Sequence, residues 1–200
     1  MKSKFMKNCL ALLLITLVAG FALAAVNEIT SKPIEIAENN AKMAAYDAVF
    51  ENAKFEEIEN AAEIIKEYNS KNDESCSVED VLKAVDENGN TIGYVMSCVS
   101  SSGYGGDIKV AVGISSESDT LTGMAVLSHN ETAGLGARCT EDEFKNQFKG
   151  KTADGIEYVK GGASGNAQID AISGATITTN AVTHAVNTAA AFFNDMLKEG

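Results

Sequence analysis

No CxxC pair occurs among the four cysteines, Cys9, Cys76, Cys98 and Cys139, and only two histidines, His129 and His184, are present. Structural zinc and iron-sulfur clusters draw thiolates from closely spaced pairs, so this chain by itself offers no metal site. Cys9 lies inside an apolar run. The other three cysteines leave one thiol over whichever two are joined, so the sequence does not choose a disulfide, and buried reduced thiols are the default. Basic residues are scarce as well: 16 Lys and Arg stand against 28 Asp and Glu, a formal net charge of -12. That balance argues against nucleic acid as a partner and otherwise serves solubility. Nucleophile and acid-base pairings suited to independent catalysis are missing too. A chain of 200 residues, less an anchor, is enough for one ordinary domain with its own core.

What the chain does have begins near its N-terminus. Residues 9–26 read CLALLLITLVAGFALAAV without a charge, about the length at which a helix crosses a ~30 Å hydrocarbon layer. The run is an anchor or a signal peptide. Ala22-Leu23-Ala24 would serve as a small-residue cleavage site, whereas the unbroken apolar character favours retention. Lys2, Lys4 and Lys7 ahead of the run and Glu28 behind it place residues 1–8 in the cytoplasm, residues 9–27 in the membrane and the remainder outside. There is no lipobox, because Cys9 opens the apolar run instead of closing it. One anchor helix without an acidic residue offers no ion pathway.

Residues 28–75 read as a stalk or helical segment. Thr30 or Ser31 can cap a helix with Pro33 and Glu35 in its first turn, and alanines at 37, 41, 44 and 48 line one face. Ile58, Ala61, Ala62, Ile65 and Tyr68 repeat at helical spacing before a polar loop at 69–75. From 76 onward the period turns to that of strands. Residues 81–86 and 91–99 flank Asn88-Gly89 as a hairpin, although Ser77-Val78-Glu79-Asp80 can also open a helix. Residues 107–115 and 120–128 form a second antiparallel pair. Thr140 and Glu143 suggest a capping box ahead of Phe144 and Phe148, and residues 161–165 suggest a glycine-rich loop. A last helix starts near Thr178, presents Ala181, Val182, Ala185, Val186, Ala189, Phe192, Phe193 and Met196 on one side, and ends in a charged tail at Gly200. The expected fold is α+β: a transmembrane helix and stalk, then a domain over 76–200 with helices covering an antiparallel sheet.

Three loops carry the chemistry. DAISGAT, residues 170–176, runs straight into the last helix, so Thr176 sits at that helix's positive end, where unpaired amides suit a phosphate. Gly174 permits a tight turn, Ala175 adds no bulk, and Ser173, Thr178 and Thr179 offer further donors; an ordinary threonine-rich N-cap reads the same way. SHNETAGLGAR, residues 128–138, follows a strand and holds the chain's one arginine. Its glycines allow backbone to approach a flat ligand. Arg138 can pair with phosphate or stabilise negative charge on a reduced ring. His129 can donate to a ring carbonyl or satisfy a strand end, and Glu131 can orient Arg138 or a backbone amide. SSSGYGGD, residues 100–107, links the two strand pairs and offers Tyr104 as an aromatic cover, or is glycine-rich for turn conformation alone.

These features together resemble the FMN-binding subunits of the Rnf and sodium-pumping NADH:quinone oxidoreductase (Nqr) complexes, the G and C subunits respectively. The marks are the N-terminal membrane helix, GYGG at 103–106, SHNETAGLGAR and above all DAISGATITT. The family loop commonly reads ETPGLG; here Ala133 replaces the proline. The chain's shortness is closer to the Rnf G subunit. The resemblance implies a bacterial or archaeal cell membrane protein, single-pass, with FMN attached from FAD by a separate flavin transferase to the last threonine of SGAT, Thr176. It implies an electron carrier within an ion-translocating ferredoxin:NAD oxidoreductase, docked on other membrane subunits. The candidate cofactor contacts are then Thr176 with Ser173, Gly174, Ala175, Thr178 and Thr179; Tyr104 and Gly105; and His129, Glu131, Thr132, Gly134, Leu135, Gly136 and Arg138. A stand-alone extracytoplasmic FMN module of another reductase, an Nqr-type C subunit, and a cofactor-free membrane-anchored interaction protein are the alternatives.

Overall fold

The computed structural model describes residues 2–72 and 74–198. The tail at Gly200 and Asp73 of the expected 69–75 loop lie outside the described residues. The chain divides into two compact units, residues 1–41 and 42–200.

The first unit is helix alone. Helix α1 spans Lys2–Val49, and its side chains from residue 4 to residue 41 are exposed. Among the described residues it is the one helix long and apolar enough to cross a membrane. A separate stalk helix capped at Thr30 or Ser31 does not form. Instead, the Thr30 hydroxyl donates back to the Val26 carbonyl at 2.9 Å, a bond made inside a continuous helix. Pro33 lies within α1; the missing amide of one proline removes one bond from a ladder that both flanks propagate.

The second unit, residues 42–200, also draws core residues from ahead of residue 76, among them Tyr46, Val49, Phe50 and Tyr68. Five strands, β1 (Lys54–Glu57), β2 (Cys76–Val85), β3 (Thr91–Gly103), β4 (Gly106–Ser115) and β5 (Thr120–Ser128), form one antiparallel meander in chain order. The expected pairs are therefore parts of a single sheet, with β1 added at its edge. Asn88-Gly89 is the β2–β3 turn, where Asp86 accepts from the amides of Asn88 and Asn90, both at 2.8 Å. The Asn90 side-chain amide, donating to Oδ2 at 3.0 Å, and then these backbone donors hold its carboxyl below the usual carboxylate range. Strands β3 and β4 reach so far that the expected loop shrinks to a two-residue tip, Tyr104-Gly105.

One face of the sheet, bearing Met96, Cys98, Val110, Val112 and Ile114, is covered by helix α4 (Thr176–Phe192) through Ala181, Val182, Ala185, Val186, Ala189 and Phe192. Alanines facing the strands let helix and sheet approach closely, and Phe192 stacks edge-on against Tyr68 with centroids 5.1 Å apart. Tyr68 belongs to helix α2 (Ala61–Lys71), which extends into the expected loop. Asn69 is helical because its side-chain amide donates to the Val78 carbonyl at 2.8 Å and accepts from the Val78 amide at 3.0 Å. Cys76, Cys98 and Cys139 are buried thiols.

The other face receives the end of α1. Tyr46, Val49, Val95 and Ala111 make a second, smaller core, and three glycines clear the way for it. A Cβ at Gly113 would lie 3.0 Å from the Val49 carbonyl oxygen, one at Gly123 would lie 3.2 Å from Val49 Cα, and one at Gly93 would strike the Ile114 carbonyl and the Phe50 ring. Thr122 Oγ1 donates to the Val49 carbonyl at 2.5 Å, satisfying an orphan acceptor of the helix end. Beside it, Asp80 accepts from Lys42 at 2.5 Å and from the Tyr46 hydroxyl at 3.2 Å.

Between β5 and α4 the chain makes short turns, a one-turn helix α3 (Asp142–Lys145), and a small parallel pair, β6 (Glu157–Val159) with β7 (Gln168–Asp170). The capping box expected at Thr140 is not formed. Its hydroxyl donates to the Ala137 carbonyl at 2.9 Å, and Glu141 takes the N-cap position without a side-chain bond.

Candidate functional site

Helix α4 begins at Thr176, two residues earlier than its apolar face suggests. The turn before it depends on Gly174, whose φ of 78° is a left-handed conformation that a side chain would strain. The turn is also braced from beneath. Thr179 Oγ1 donates to the Ala175 carbonyl at 3.0 Å and accepts from the Ile172 amide at 3.1 Å. Thr178 Oγ1 donates to Glu131 Oε2 at 2.6 Å. Both threonines are buried, so neither hydroxyl is available to a ligand. Thr176 differs from them: its side chain is exposed and its hydroxyl has no partner among the described residues. The first amides of α4 have no intrahelical acceptor and carry the positive end of the dipole to that point.

A cavity of about 520 Å³ opens beside Thr176, lined also by Tyr104, Glu131, Thr132, Leu135, Gly136, Gly174, Ala175, Ile177 and Thr178. The topology thus gathers the β3–β4 tip, the loop after β5 and the start of α4 around one space. Gly105 lies against the Asn130 carbonyl so closely that a Cβ would collide with it, and Gly136 lies equally close to the Glu131 carboxylate. Glu131 resolves its two sequence alternatives in favour of the backbone: Oε1 accepts from the Gly105 amide at 3.0 Å. Arg138 turns away, with Nε donating to Glu141 at 3.1 Å. It shares a neighbouring depression of about 390 Å³ with Ser173. His129 satisfies its own loop, its Nδ1 accepting from the Glu131 amide at 3.1 Å. Gly134 and His129 stand outside the cavity lining, whereas Ile177 belongs to it and was not singled out from sequence. The available signal was an exposed β-branched apolar residue in a helix's first turn.

The lining suits a flat, amphipathic ligand with an anionic end. Four large apolar side chains are exposed among the described residues of the second unit, Met43, Tyr104, Leu135 and Ile177, and the last three line this cavity. Apolar surface gathered around a polar helix end is the usual make-up of a cofactor pocket, and the volume lies within the common ~300–1,000 Å³ range. Behind the cavity, burial and then the Glu131 charge push the Cys139 thiol up to about 11, so it stays protonated and unreactive at neutral pH.

Residues 103–191 match the family of FMN-binding domains, a span that takes in Tyr104, Gly105 and the loops at 128–138 and 170–176. The structure is similar to that of Shewanella oneidensis NqrC, with a TM-score of 0.50 at 21% identity, covering 74% of this chain and 86% of that one, a likeness of fold. The G subunit of the ion-translocating oxidoreductase complex of Methanosarcina acetivorans is 43% identical over 107 residues, covering 54% of each chain. The G subunit of the proton-translocating ferredoxin:NAD(+) oxidoreductase complex of Clostridium ljungdahlii is 42% identical over 106 residues, 53% of this chain and 56% of that one. The chain spans about half the length of these two relatives. It aligns far more fully with the G subunit of the Na(+)-translocating ferredoxin:NAD(+) oxidoreductase complex of Acetobacterium woodii, which is 33% identical over 196 residues, covering 94% of this chain and 91% of that one. With that near-complete alignment added to the shared fold and the three-loop cavity, the chain belongs to the family of G subunits of ion-translocating oxidoreductase complexes.

Proposed function

We propose that this chain holds FMN covalently, by a phosphoester to Thr176, and carries electrons between neighbouring subunits of a membrane-bound ion-translocating ferredoxin:NAD oxidoreductase. The observation that carries the proposal is the division among the threonines of TITT. Thr178 and Thr179 commit their hydroxyls to Glu131 and to the turn, and Thr176 alone offers a free oxygen at the helix N-terminus beside the cavity. In the attachment step a flavin transferase breaks the pyrophosphate of FAD. The Thr176 oxygen loses its proton and bonds to the FMN phosphorus, and AMP leaves.

When bound, FMN supplies one- and two-electron redox chemistry. This chain's part is to hold and surround it. The open amides of α4 and its dipole stabilise the phosphate charge. Tyr104, Leu135 and Ile177 remove apolar ring surface from water, and Gly105 and Gly136 keep the walls thin. A tether matters for a carrier facing a dilute extracytoplasmic space, because a reversibly bound cofactor is lost at any finite dissociation constant. The anchor is residues 9–27, retained, with residues 1–8 cytoplasmic and the FMN domain outside. Other subunits of the complex are its working partners, and the flavin transferase is its partner in maturation.

The test is denaturing electrophoresis under ultraviolet light and intact mass on full-length protein produced with an active flavin transferase. A fluorescent band and a mass gain of one FMN less one water are expected. Flavin that leaves with the denaturant, or a gain that survives Thr176→Ala, overturns the assignment.

A further inference from the structure

We propose that Glu131 is the positioning residue of the cavity: its buried carboxylate ties the Tyr104-Gly105 tip to the first turn of α4 and gives the cavity wall a negative charge. The proposal rests on the reading of this cavity as the flavin site. Glu131 is 9% exposed, and each of its oxygens has a different partner. Oε1 accepts from the Gly105 amide at 3.0 Å, and Oε2 accepts from the Thr178 hydroxyl at 2.6 Å. One side chain therefore spans two segments that are far apart in sequence. Two glycines make room for it: a Cβ at Gly136 would collide with Oε2, and one at Gly103 would lie 2.9 Å from Oε1. Its own backbone is held where its amide N–H donates a hydrogen bond to His129 Nδ1. Two donors on two oxygens suit an ionised carboxylate. The chain's arginine does not neutralise it, being engaged with Glu141 and Glu143 instead. The counter-charge is the dipole of α4, whose first turn the carboxylate touches through Thr178.

Two consequences follow and are separable. The clamp should exist before any cofactor is attached, and the charge should oppose the addition of negative charge to a ring beside it. Glu131→Gln keeps an acceptor for Gly105 and a polar partner for Thr178 while removing the charge. Glu131→Ala removes both, and Thr178→Val cuts one arm only, which covers the case in which the alanine variant fails to fold. In full-length, flavin-free protein made without flavin transferase, amide hydrogen exchange at Gly105 is expected to quicken by about tenfold or more in Glu131→Ala and to stay near wild type in Glu131→Gln. In Thr178→Val, exchange is expected to quicken for the first turn of α4. In the flavin-loaded protein, Glu131→Gln is expected to move the flavin midpoint potential to a more positive value, as Thr178→Val does not. Unchanged exchange in Thr178→Val, or in Glu131→Ala where that variant folds, overturns the clamp, and an unchanged potential in Glu131→Gln overturns the charge. Failure of the flavin assignment itself is recognised separately, as wild-type protein that acquires no flavin while the exchange results still stand.

Discussion

The seat of α1 on the back of the sheet and the cavity at the start of α4 are both built on glycine, yet one buries its apolar side chains and the other leaves them exposed. Gly93, Gly113 and Gly123 give up side chains so that Val49 and Phe50 can occupy the space, and Thr122 closes the last carbonyl. Val49 and Phe50 end buried there. Around the cavity, Gly103, Gly105 and Gly136 give way to the Glu131 carboxylate and the Asn130 backbone, but what remains is a space of about 520 Å³ with three exposed apolar side chains at its rim. Close backbone approach alone therefore does not identify a ligand site. What distinguishes one here is apolar surface that the chain leaves uncovered next to unsatisfied polar groups.

The contrast can be broken most severely at Thr176. Thr176→Ala should abolish covalently held flavin with little change in stability, read by in-gel fluorescence and urea unfolding. Thr179→Ala should do the reverse: the attaching oxygen stays, while loss of a buried two-sided hydrogen bond costs about 1–3 kcal/mol. At the seat, Gly93→Ala should lower stability by about 1–3 kcal/mol, because the added methyl meets backbone as well as the Phe50 ring; the same flavin content as wild type, per folded molecule, is expected. Thr122→Val should cost about 1 kcal/mol by orphaning the Val49 carbonyl. Tyr104→Ala and Ile177→Ala should change the stability of flavin-free protein by less than about 0.5 kcal/mol, since both side chains are already in water.

The mildest difference is silent at neutral pH. The Cys139 thiol, behind the cavity, ionises at 9.0 in the unfolded chain and near 11 in the folded one, chiefly through burial. The folded form holds the proton longer, so this group's contribution is full below pH 9 and declines as pH rises from 9 toward 11. Tyr46, under the seat, is pushed the same way by burial and Asp80, so the seat adds to the alkaline loss at higher pH. Urea midpoints measured from pH 8 to 11 should fall steadily, and Cys139→Ser should flatten the earlier part of the decline.

Much of this molecule could be read from its residues in order. The alternation of 107–115, the Asn88-Gly89 turn and the apolar face of the last helix are local patterns, and each became the element it predicts. The errors came where one hydrogen-bond partner displaced the one that residue order suggests. Asn69 reads as a loop residue until Val78 offers it two backbone bonds, and Thr140 reads as a cap until the turn before it takes its hydroxyl.

The same division holds at the site. The apolar N-terminal run and the glycine turn before a helix N-terminus are legible in the residue order, because hydropathy, φ preference and the helix dipole are properties of neighbouring residues. The three loops are legible there too, as separate strings. It took the folded chain to bring those loops together, to face Arg138 away from the cavity, and to join Gly105 to Thr178 through Glu131. Folding also separated Thr176 from Thr178 and Thr179, which are chemically alike in sequence. Burial and partnership belong to the packed chain, and those two properties make one threonine hydroxyl free and its neighbours structural.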